Sequence, residues 1–210
     1  MWFYRVFVCQ AEDGIRDLVR SRGLGDVYKR QVHLSDESLA GSDVAATGYA
    51  LAQTLKRENP DLVLLGQQSD DGECYTIGAV VADHLKMPSL TQVVKMDVED
   101  GKLRCERQAE YGYDTVSLSL PAVIAVGDAI NEPRYPSLKA IMGAKKKPLD
   151  TKSAGDVGID AGQVGEAGSQ TTVVALNPPP AKEAGEIIED EDTNETVEKI
   201  VAWLDERKLI

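Results

Sequence analysis

The apolar positions of this chain change period along its length, and each change marks an element. "VHLSD", residues 32 to 36, is a short strand-like run. "SDVAATGYALAQTLKREN" follows, with Ser42 and Asp43 as N-cap candidates. Val44, Leu51, Ala52 and Leu55 fall on one helical face, and Pro60 stops the helix. "DLVLLG", residues 61 to 66, is a continuous apolar run, as expected of a parallel strand covered on both faces. A polar, glycine-bearing loop comes next. Then Ile77, Val80, Val81, His84 and Leu85 form a helical stripe up to Pro88. Strand, helix, strand, loop and helix in this order predict an α/β fold with a Rossmann-like parallel sheet.

Beyond Pro88 the pattern alternates. Asp100-Gly101 separates two alternating runs and predicts a β-hairpin insertion. "TVSLSL" alternates cleanly, and "PAVIAV", residues 121 to 126, predicts another buried strand. The body is therefore expected over residues 32–150. After Pro148 the composition turns to Gly, Asp, Ser, Gln and Pro, which predicts an extended linker arm over 151–192 with one short strand at "TTVVAL". Val197, Ile200, Val201 and Leu204 make a stripe in the closing stretch, so 193–210 is expected to be an amphipathic helix.

Charge narrows the class. The formal net charge is −12, with 42% hydrophobic and 5% aromatic residues, as in a soluble globular protein. Phosphate backbones would be repelled, so nucleic acid is an unsuitable partner. No apolar run is long enough to insert into a bilayer. Cys9, Cys74 and Cys105 have neither metal-ligand spacing nor the pattern of a disulfide framework, which makes a reducing compartment the default. His33 and His84 are the only histidines, far apart in sequence, and no triad or carboxylate pair accompanies them.

Residues 1–31 stand apart. They mix Trp2, Phe3, Tyr4 and Phe7 with scattered arginines and hold no sustained period. Gln10 to Asp17 and Ser21 to Gln31, read back into codons, match sequencing-library adapters. The segment is expected to be artefactual and is excluded from fold reasoning.

Two stretches carry candidate chemistry. The first is the loop after "DLVLLG": Gly66, Gln67, Gln68, Ser69, Asp70, Asp71, Gly72, Glu73, Cys74, Tyr75, Thr76, Ile77 and Gly78. It sits at the carboxyl end of a predicted parallel strand, where open α/β sheets bind ligands. The N–H groups opening the next helix suit a phosphate. A plain polar strand-to-helix connection is the competing reading, since neither GxGxxG nor a Walker motif is present. The second is "EPRYPSLKAIMGAKKKP", residues 132 to 148. Leu138, Ile141 and Met142 lie at helical spacing beside Arg134, Tyr135, Lys145, Lys146 and Lys147. A solvated lysine surface beside one turn of core helix is one reading; a docking surface for an acidic partner is the other.

Together, "DLVLLGQQSDDGECYTIG", "LPAVIAV", "NEPRYPSLKAIMGAKKKP" and the "NPPP" arm resemble the beta subunit of electron-transfer flavoprotein, from about Val32 to Ile210. The resemblance implies an electron carrier component and not an enzyme. It implies a heterodimer with an alpha subunit that holds FAD, and AMP or a second FAD at residues 66–78. Leu138 would anchor acyl-CoA dehydrogenase-type donors of fatty acid oxidation. The arm and terminal helix would wrap the alpha subunit, in a prokaryotic cytoplasm. The family's first strand and first helix have no match here. Tyr75 also departs from the pattern, standing where a small or amide residue is usual. The rival is a free-standing adenine-nucleotide-binding protein of the universal-stress type, which needs the loop but not the basic segment.

Overall fold

The computed structural model describes residues 31–69, 73–132, 137–144, 146–181, 185, 187 and 192–210. All of the set-apart N-terminal segment except Gln31 therefore lies outside the described residues. The chain divides into two units, one ending at Thr172 and one beginning at Val173.

The first unit is α/β. Strands β2 (Leu62–Gly66), β6 (Ala122–Val126) and β3 (Ser89–Glu99) run parallel in that order. β4 (Lys102–Ala109) and β5 (Gly112–Ser119) extend the sheet as an antiparallel meander, giving the order β2-β6-β3-β4-β5. β6 is central to the parallel part, which explains its unbroken apolar run: Ala122, Val123 and Ile124 are fully buried. Asp100 and Gly101 both take positive φ and turn β3 into β4, as the sequence predicts. A second, smaller sheet pairs β1 (Gln31–Leu34) with β7 (Leu149–Lys152) in parallel.

Helix α1 (Val44–Glu58) starts where predicted. Asp43 accepts from the Ala46 N–H at 3.0 Å, and Asn59 closes the helix in the left-handed conformation. Its buried face differs from the expected one. Val44 and Leu51 are only half-buried, and the contact runs through Ala46, Gly48, Tyr49, Ala50, Ala52 and Leu55. Two packings set it: Tyr49 and Ala50 join a buried cluster with Ala154, Val157 and Val164, and toward α2 (Ile77–Leu85) a β-carbon on Gly48 would collide with the Val80 side chain. Small residues let the two helices approach, and apolar periodicity alone does not register that.

The largest correction concerns residues 149–169. The composition predicts linker from 151, yet this stretch forms β7, α4 (Ala154–Val157), a 3-10 turn at Ala161–Gln163 and α5 (Gly165–Gly168). Ala154, Val157, Ile159 and Val164 are buried in one cluster with Leu34, Tyr49 and Ala50. Ser153 and Asp156 form a capping box, and Asp36 accepts from the Ala154 N–H at 2.9 Å. In contrast, "TTVVAL" forms no strand, and Val173, Val174 and Leu176 are exposed.

The second unit contains α6 (Thr193–Glu206), capped by Asp192, whose carboxylate accepts from the Asn194 N–H at 2.8 Å. Val197, Ile200 and Val201 on its apolar stripe are exposed. The Arg207 guanidinium lies 4.0 Å from the Trp203 ring centroid, a cation–π contact at the helix end.

Candidate functional site

The sheet brings two connections to one end. β2 and β6 run in parallel register, with Gly66 opposite Val126, so the loops that follow them leave side by side. A β-carbon at Gly127 would meet Gln67 Oε1 at 3.2 Å and Val94 Cγ1 at 3.7 Å. The Gln67 side chain thus lies against the bare backbone at the end of β6. The Gly127 N–H donates to the Val93 carbonyl at 2.9 Å. β3 slips register against β6 between Leu90 and Val93, and against β4 between Val93 and Lys95. Gln92, at φ 61, sits within that bulge.

The loop after β2 is open to solvent: Gly66, Gln68, Ser69 and Glu73 through Thr76 are exposed, and Gln67 and Ile77 half-buried. Asp70, Asp71 and Gly72 lie outside the described residues. The loop closes on itself where the Glu73 N–H donates to the Ser69 carbonyl at 3.0 Å. Glu73 and Tyr75 both hold φ at 44, in the left-handed region where a non-glycine residue carries strain. Thr76 follows in the right-handed region, and its N–H turns back to the Cys74 carbonyl. Thr76 stands at the N-cap of α2 without a side-chain hydrogen bond of its own, so it leaves the first N–H groups of the helix uncapped. A left-handed residue followed by a right-handed one at an uncapped helix start is a backbone arrangement suited to an anion. Gly78 has a different duty from its neighbours. It is buried, and a β-carbon there would meet Ala125 Cβ at 3.3 Å and Leu65 Cδ1 at 3.6 Å, so its bareness seats α2 on the sheet.

The basic segment is built differently. Helix α3 (Leu138–Ala144) is a seven-residue element. Leu138 and Met142 are one turn apart and stay 74% and 61% exposed, so they are not core. Lys146 is exposed and Lys147 half-buried. Arg134, Tyr135 and Lys145 lie outside the described residues, as does the side chain of Ile141. Sequence reasoning did not single out Gly127 or the contact between its loop and Gln67. The signal was available: Gly127 follows a buried apolar run as Gly66 ends one, which places a second bare position at the same sheet end.

With this geometry in place, comparison with known proteins gives the class. The electron transfer flavoprotein domain matches residues 10–157, and the chain belongs to that family. That match begins within the segment set apart above, taking in residues 10–31. Two of the relatives it resembles are named beta subunits and a third is a subunit of a reductase complex. It is 42% identical over 182 residues to the electron transfer flavoprotein subunit beta of Mycobacterium bovis, covering 86% of this chain and 68% of the relative. It is 34% identical over 210 residues to that of Megasphaera elsdenii, covering 96% and 76%. It is also 34% identical over 202 residues to the caffeyl-CoA reductase-Etf complex subunit CarD of Acetobacterium woodii, covering 96% and 75%. Among the described residues, no helix is long and apolar enough to cross a membrane.

Proposed function

We propose that this chain is the beta component of a heterodimeric electron carrier. It supports an alpha subunit that holds FAD, and it docks CoA-ester dehydrogenases through the segment around α3. It makes and breaks no bonds itself. The observation that carries the reading is the exposure of Leu138 and Met142 on one short helix followed by Lys146 and Lys147. An apolar pair left in solvent beside cations, in an otherwise acidic protein, suits an acidic partner with an apolar pocket.

An adenine nucleotide fits the loop after β2. The N–H groups of Ile77 and Gly78 would hold its phosphate, with Gly66 to Thr76 enclosing the rest. AMP there supplies no redox chemistry and acts by ordering the loop. A flavin in the same place is the second reading, and the 34% identity to a caffeyl-CoA reductase-Etf complex subunit makes such a complex the partner to test beside an acyl-CoA dehydrogenase. Family membership leaves the free-standing nucleotide-binding rival without support.

The experiment is co-expression with the alpha subunit encoded in the same genome, followed by flavin spectra and mass spectrometry of released nucleotides. Leu138→Ala in that complex is expected to slow electron transfer from a cognate dehydrogenase by about tenfold or more, since burying a leucine contributes about 1.5–3 kcal/mol. Flavin content should not change. A colourless complex, or unchanged transfer by the variant, would refute the reading.

A further inference from the structure

The residues that open helix α1 also hold the last residues of the body. The Asp43 N–H donates to Ser169 Oγ at 2.8 Å, and the Gly165 N–H donates to Ser42 Oγ at 2.7 Å. Asp43 Oδ1 caps the helix through the Ala46 N–H. Its other oxygen is used elsewhere in the chain: Oδ2 accepts from the N–H groups of Gln170 and Thr171 at 2.7 and 3.1 Å, and from Thr171 Oγ1 at 3.2 Å. Those donors hold the Asp43 carboxyl below its ordinary range, with the Ala46 N–H as the largest cause. The bonds do little for the core. Gln170 and Thr171 are exposed, and the buried cluster is already closed upstream by Val164. What they fix is the place where the chain leaves the body, since the first unit ends at Thr172 and the second begins at Val173.

We propose that Asp43 is a positioning residue for the partner-binding arm, fixing its root so that 173–210 is presented to the alpha subunit from one defined point. The inference rests on the heterodimer reading given above. Its physical basis is pre-organisation. An arm whose first residues are clamped has less conformational freedom to lose on binding, and its effective concentration at the partner is higher.

Asp43→Asn separates this role from helix capping. Asparagine caps a helix about as well as aspartate, so the Ala46 contact survives. Its second polar atom is an amide nitrogen, which cannot accept from the donors of Gln170 and Thr171. In the full chain, amide hydrogen exchange at Gln170 and Thr171 should rise at least about tenfold, with Ala46 staying within about twofold. Affinity for the alpha subunit encoded in the same genome, read by titration, should fall about tenfold. Thr171→Val removes only the hydroxyl donor at an exposed position and should weaken affinity by roughly threefold with folding unchanged. Unchanged exchange at Gln170 and Thr171 overturns the clamp. Raised exchange with unchanged affinity, or full affinity in Thr171→Val, overturns the positioning role. A wild-type chain that binds no alpha subunit overturns the heterodimer reading and this inference together, whereas equal binding by wild type and variants overturns this inference alone.

Discussion

Residues 149–169 and residues 173–181 both carry a few scattered valines and alanines, the first among glycines and small polar residues and the second beside three prolines. One is part of the core and the other is not. Val164 is 1% exposed and Val174 94%. The difference lies in what surrounds each valine. Val157, Ile159 and Val164 lie among turns whose N–H groups at Ser153, Asp156 and Gly162 donate to the side chains of Asp156, Ser153 and Asp160. The chain can therefore bury single apolar residues without a long regular element. Val173, Val174 and Leu176 precede a run of prolines, which restricts the backbone to extended forms and removes N–H donors. Sparse apolar residues become core where caps let the backbone turn, and remain outside it where prolines do not.

The most severe way to break this contrast is truncation. A chain ending at Pro148 loses β7 and the buried residues after it, and its cooperative urea transition should disappear. A chain ending at Thr172 should keep its unfolding free energy within about 0.5 kcal/mol of the full chain while losing association with the alpha subunit. If the shorter cut leaves the transition intact, the packed stretch is not part of the body. Point changes sharpen the same contrast. Val164→Ala should cost about 1–3 kcal/mol, measured by urea denaturation, because it removes buried methyl groups and leaves a cavity.

Acid should act on the packed stretch next. Asp36 and Asp43 both tie it to the start of the body. Hydrogen bonds from the Ser38 and Ala154 N–H groups lower the Asp36 pKa, and those from Ala46, Gln170 and Thr171 lower that of Asp43, each from an ordinary value of 3.8. A folded-state pKa below the unfolded one adds stability above the unfolded value, and that stability is lost as pH falls through the folded value. Unfolding should become easier as pH drops below about 4, and the double variant Asp36→Asn/Asp43→Asn should show a flatter pH dependence in that window. Thermal melts between pH 2.5 and 6 read this; equal slopes for variant and wild type would remove the two carboxylates from the account. The smallest effect is expected in the arm, where Val174→Ala should leave the unfolding free energy within about 0.5 kcal/mol.

What the sequence made legible follows from this physics. β2, β6, α2 and the Asp100-Gly101 hairpin each carry a dense local signal, and each forms where expected. The place of the loop after β2 was also legible, because chain order alone put it at a strand's carboxyl end; the exposure of Leu138 and Met142 was not, since their spacing suits a turn of core helix equally well. The packed stretch was not, since Val157, Ile159 and Val164 fit neither a period of two nor one of 3.6. Nor was the buried face of α1, where Gly48 matters for what it lacks. Gln92 gave no warning either. Its left-handed conformation is imposed by the register shifts of β3 between two neighbouring strands, a tertiary demand on an ordinary residue.

The contact between Gln67 and Gly127 limits how far this protein can be treated as a set of exchangeable parts. Grafting the 66–78 loop of a relative onto this chain would transplant half of a matched pair. If the incoming loop carried a bulkier group than Gln67, it would press on Gly127 and so on the connection that leads toward α3. Conversely, any side chain placed at position 127 would displace the Gln67 amide before it touched anything else in the loop. A recombination library that crosses over between residues 78 and 121 would therefore be expected to lose more members than one that keeps both loops from the same parent.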